Sequence, residues 1–90
     1  MKIYNRKSLT VASSRGVLLG KRIDYKLIKS YGIPPIYSIS IAFNGDRRER
    51  SVSRDITKAA KLYGLIVKNL VTPCTLDDVL DDYLSNFLPK

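Results

Sequence analysis

From Arg22 onward, large apolar residues alternate with polar ones: Ile23, Tyr25 and Leu27 against Asp24 and Lys26, with Ile28 breaking the rhythm. A period of two sends successive side chains to opposite sides of an extended backbone, so the segment predicts a β-strand. Tyr31-Gly32-Ile33-Pro34-Pro35 interrupts it, because neither proline can donate to a ladder. Tyr37, Ile39, Ile41 and Phe43 then alternate with Ser38, Ser40 and Ala42, which predicts a second strand with one large apolar face and one small polar face. Asn44-Gly45 follows, and both residues tolerate the positive φ of a type I′ hairpin turn. The return strand, Arg47–Ser53, is dominated by Arg47, Arg48, Glu49 and Arg50 and leaves only Val52 to join a core. So charged a strand belongs at a sheet edge, where charge also discourages edge-to-edge association.

After Ser53 the period lengthens. Ile56, Ala59, Ala60, Tyr63, Ile66, Val67 and Leu70 fill an arc of about 120°, predicting a core-facing helix capped by Ser53 or Asp55. Lys58, Lys61 and Lys68 lie opposite, while Leu62 and Leu65 fall outside the apolar arc. Val71-Thr72-Pro73 ends this helix. A second begins at Thr75, with Asp78 three residues on as in a capping box, and Asp77 and Asp78 in the first turn, where the helix dipole favours negative charge. Its stripe is Leu76, Val79, Leu80, Tyr83, Leu84, Phe87 and Leu88. The short spacer makes the helices antiparallel neighbours. The expected fold is therefore α+β in the order β-β-β-α-α: a small antiparallel sheet of about three strands covered by a C-terminal helical hairpin, over residues 21–90. Residues 1–20 show no sustained period. Beyond a short strand at Met1–Tyr4, they read as a mobile or loosely docked arm.

Ninety residues bound this to one domain. No apolar run approaches the ~18 residues of a transmembrane helix, and Gly16–Gly20 is too short for a secretory h-region. Cys74 is the sole cysteine, so no internal disulfide can form, and a cytoplasmic location is expected. Histidine is absent, which excludes His-based acid–base and triad catalysis and, with one cysteine, a structural zinc site. No glycine-rich phosphate loop exists, and Asp77, Asp78, Asp81 and Asp82 read as a solvated helix face. The expectation is a non-enzymatic protein without cofactor, metal or membrane span.

Charge adds a direction. The net charge of +8 divides into +9 over residues 1–54, +2 over 55–70 and −3 over 71–90. Arg47, Arg48, Arg50 and Arg54, extended by Lys58 and Lys61, form the candidate nucleic-acid or polyanion site, with Tyr37 as a stacking face. An acidic protein would suit the same cations. The alternative is a protein-interaction or regulatory module that uses Leu62 and Leu65, off the core arc, as half of an interface.

Tyr31-Gly32-Ile33 after a strand, Ser53-Arg54-Asp55 at a helix entry, and above all Pro73-Cys74-Thr75-Leu76-Asp77-Asp78-Val79 followed by Asp82-Tyr83-Leu84 carry a resemblance. Over Ile23 to Leu88 the chain resembles the bacterial domain of unknown function family 6514. That resemblance implies a cytoplasmic bacterial α+β protein and no particular activity.

Overall fold

A computed structural model describes residues 8–87. Strands β1 (Ser8–Leu18), β2 (Lys21–Ser30), β3 (Ile36–Phe43) and β4 (Asp46–Ser53) precede helix α1 (Ile56–Lys68), a single 3-10 turn (Pro73–Thr75) and helix α2 (Leu76–Phe87). The strands form one antiparallel meander in the order β1-β2-β3-β4, with both helices packed on it. The α+β class and its strand-then-helix order stand, and the strand count rises to four. The molecule measures 43 × 41 × 18 Å, the thin dimension being one sheet and one helix layer.

The extra strand is β1, in the segment expected as an arm. It pairs with β2 from Ser8↔Ser30 to Leu18↔Lys21, with a bulge between Thr10 and Ala12. Its positions opposite Leu27, Tyr25 and Ile23 are Ala12, Ser14 and Gly16. These face the helices yet are small, so the large–small alternation that betrays a strand never appears. The room is needed: a Cβ on Gly16 would lie 2.9 Å from Leu70 Cδ2. The β1–β2 turn was hidden as well. Leu19 (φ 54°) and Gly20 (φ 76°) repeat the left-handed pair of the β3–β4 turn, Asn44 (φ 53°) and Gly45 (φ 82°), but with leucine where asparagine is usual. The proposed Met1–Tyr4 strand lies outside the described residues, as do the side chains of Leu84, Phe87 and Leu88.

Register explains the layers. Paired residues share a face, and Tyr25↔Ile41, Leu27↔Ile39 and Ile23↔Phe43 set the large side chains of β2 and β3 together under the helices. Ile23, Tyr25, Ile39, Ile41, Leu62, Ile66, Leu76 and Leu80 are the largest fully buried side chains.

Asp55 caps α1 by accepting from the Thr57 N–H at 2.8 Å, and its own N–H donates to Ser53 Oγ at 3.0 Å. The helix stops at Lys68, ahead of the expected Val71-Thr72-Pro73. Leu70 adopts the left-handed conformation (φ 51°), its N–H bonding Val67 O and the Val71 N–H bonding Ile66 O, which is a Schellman stop built without glycine. The buried residues of α1 are Ala59, Leu62, Tyr63 and Ile66, whereas Ala60 and Ile56 are exposed. The helix is thus rotated from the expected arc. Both arcs share Ala59, Tyr63 and Ile66, and the one that buries Leu62 removes more apolar surface from water than the one that buries Ala60. At the next junction Thr75 bonds back to Thr72, and Asp77 and Asp78 occupy the first turn of α2 as expected.

Candidate functional site

The pleat that buries the large residues delivers β4's arginines to two opposite surfaces. Arg48 and Arg50 sit opposite Ile41 and Ile39, so they face the helix layer; Arg47, Glu49 and Ser51 sit opposite Ala42, Ser40 and Ser38, on the uncovered face. On the helix side, Arg48 Nη1 donates to Asp77 at 3.1 Å, and Arg50 Nη1 and Nη2 donate to Asp77 at 2.7 Å and Asp81 at 3.4 Å. Hydrogen bonding to Asp77, opposed in part by burial and joined by Asp81, raises the Arg50 pKa above its ordinary value. The chain's positive hairpin and negative tail therefore meet inside one molecule.

The six cations singled out from sequence do not form one patch. Arg47 is on the uncovered face, and Arg48 and Arg50 are clasped by α2. Arg54 leaves the sheet and donates from Nη1 to the Pro34 carbonyl at 2.7 Å, fastening the β2–β3 loop. Lys58 and Lys61 lie one turn apart on the exposed side of α1. Tyr37 is buried in the core and offers no stacking face. Leu62, half of the alternative interface, is fully buried, so an interface through it is excluded; Leu65 is half-buried.

A different basic surface emerges. The uncovered face carries Ser13, Arg15 and Val17 from β1, Arg22, Asp24, Lys26 and Ile28 from β2, Ser38, Ser40 and Ala42 from β3, and Arg47, Glu49 and Ser51 from β4. Its middle is a shallow depression of about 470 Å³ with Ser13, Ser40 and Ala42 in its lining and Arg15, Lys26 and Arg47 around them. Asp24 is occupied by Arg15 at 3.2 Å and Arg22 at 3.5 Å. Among the described residues, the Lys26 and Arg47 side chains have no acidic partner. Arg15 and Lys26 lie far from Arg47 along the chain, and only strand pairing brings the three onto one face. The signal that was available was the small polar side of β3, Ser38-x-Ser40-x-Ala42, which no helix was needed to cover.

A depression lined by small hydroxyl and methyl groups and ringed by guanidinium and ammonium groups has the charge and shape to suit anionic oxygens. Fold and face together define a class: a small two-layer α+β domain with helices on one side of a four-stranded meander and a largely polar sheet face without a helix on the other. The family model described as Family of unknown function (DUF6514) matches residues 18–86, and the chain belongs to that family. The matched segment runs from the end of β1 through β2–β4 and α1 into α2. No curated protein and no solved structure matches the chain. Among the described residues, no helix is long and apolar enough to cross a membrane.

Proposed function

We propose that this chain is a cytoplasmic, non-enzymatic binding module that takes a polyanion, nucleic acid foremost, on its uncovered sheet face. The observation that carries this reading is the gathering of Arg15, Lys26 and Arg47 around the small-residue depression, with Lys26 and Arg47 left without acidic partners among the described residues. Phosphate backbones reward such a surface by counterion release, with no base contacts required. Among the described residues, no strand places an aromatic side chain on this face, so recognition is of charge and shape rather than of stacked bases.

Fluorescence anisotropy with labelled single- and double-stranded oligonucleotides, at about 50 and 200 mM salt, tests it. The expected result is binding that weakens with salt, falls about tenfold or more in R15Q/K26Q/R47Q, and changes little in R48Q/R50Q. Absence of binding at the lower salt, or equal losses in both variants, would refute the reading.

A further inference from the structure

The sheet has two edges, and the chain treats them differently. On β4, Asp46, Arg47, Arg48, Glu49 and Arg50 are charged, and α2 packs against the strand with its aspartates on the arginines. That edge is protected by charge and by a neighbouring helix. On β1, Arg15 is the single charge in 11 residues, and the rest are Ser, Thr, Ala, Gly and aliphatics. Leu9, Val11 and Val17 are 52%, 44% and 66% exposed along it. Beyond the bulge, Ala12 to Leu18 runs in unbroken register with β2. Among the described residues, no strand pairs with its outer side.

We propose that the outer edge of β1 pairs antiparallel with β1 of a second copy, joining two sheets into one across a two-fold axis. A row of unpaired strand N–H and C=O groups is satisfied by another extended backbone. The contrast between the edges selects the occupant. Pairing β1 with β4 of another copy would repeat without closing, and the charged, helix-flanked β4 opposes it; β1 with β1 closes after two chains. An acidic foreign strand would find only Arg15 to answer its charge. The net charge of +8 on each chain repels its partner, so the pairing tightens as salt rises. That is the opposite of the salt dependence of polyanion binding, and it does not rest on that reading.

Sedimentation velocity from micromolar to about 0.5 mM chain, in about 0.1 and 0.5 M salt and without nucleic acid, tests the proposal. The expected mass rises from 10.2 kDa to twice that value with concentration, more readily at high salt. V11K/V17K, which places gatekeeper charges at two exposed positions, should stay at the mass of one chain. Hydrogen exchange on the wild-type protein supplies a second measure should that variant misfold: β1 amides should slow as concentration rises. A single-chain mass throughout, a dimer that V11K/V17K leaves intact, an open-ended assembly, or β1 exchange indifferent to concentration would each overturn the proposal.

Discussion

Replacing Tyr25 by phenylalanine removes one oxygen from the centre of the molecule, and its consequence can be worked through. Tyr25 is fully buried on β2, and its hydroxyl donates to the Val71 carbonyl at 3.0 Å, just past the left-handed stop of α1. The bond ties the sheet to the connection between the helices. Its loss leaves a carbonyl of a residue only 7% exposed without that donor. A net hydrogen bond plus part of the penalty for an unpaired buried acceptor comes to about 1–2 kcal/mol near neutral pH. In a domain of this size that lowers Tm by roughly 4–15 °C. Alkaline pH gives a second, independent readout. Burial pushes the phenol up from 10.0 to about 12. Between those values the folded chain holds a proton that the unfolded chain has lost, so the contribution is full below pH 10 and vanishes as pH rises through 12. By pH 11 the wild type has surrendered about 1 kcal/mol at this position, whereas Tyr25→Phe has nothing there to titrate. Urea unfolding of both proteins at pH 8 and pH 11, followed by circular dichroism, should show the gap between them shrinking by about that amount. Every other side chain is common to the two proteins and cancels in the difference. A gap unchanged between the two pH values, or a variant as stable as the wild type at pH 8, would refute the reasoning.

Two further substitutions test the helix rotation and the hidden turn. Leu62→Ala should cost about 2–5 kcal/mol because it empties a fully buried site, and half-buried Leu65→Ala should cost clearly less; equal losses in chemical unfolding would contradict the packing of α1. Leu19→Asn should stabilise by about 0.5–1 kcal/mol in thermal unfolding, since Leu19 is 86% exposed and gains nothing from packing to offset its left-handed φ; a lower Tm would count against the turn geometry.

The candidate site was less legible than the fold. Arg47, Arg48 and Arg50 adjoin in sequence, which invited a single patch, but a strand alternates its side chains, and register sent Arg47 one way and its neighbours the other. The carboxylates that hold Arg48 and Arg50 lie on α2, far along the chain, so a local reading had no access to them. Arg15 and Lys26 failed to stand out for the converse reason: they lie on different strands from Arg47, and only pairing across β1, β2, β3 and β4 collects them.

Local chemistry by itself determined the β2 and β3 strands, the Asn44-Gly45 turn, the edge position of β4, the Asp55-capped start of α1 and the acidic first turn of α2. Each depends on periodicity, φ preference or charge within a few residues, and those are properties a chain carries wherever it goes. Tertiary structure decided the rest. β1 became a strand because β2 offered an edge and its small residues leave room for Tyr63 of α1 and for Leu70 just past that helix: the Tyr63 hydroxyl donates to Ser14 Oγ at 2.8 Å, and Leu70 fills the space above Gly16. Helix α1 turned to bury Leu62 in place of Ala60 because apolar area, not pattern, sets the final rotation. Arg48 and Arg50 met the aspartates of α2, while Arg15, Lys26 and Arg47 came together on the one face that no helix covers.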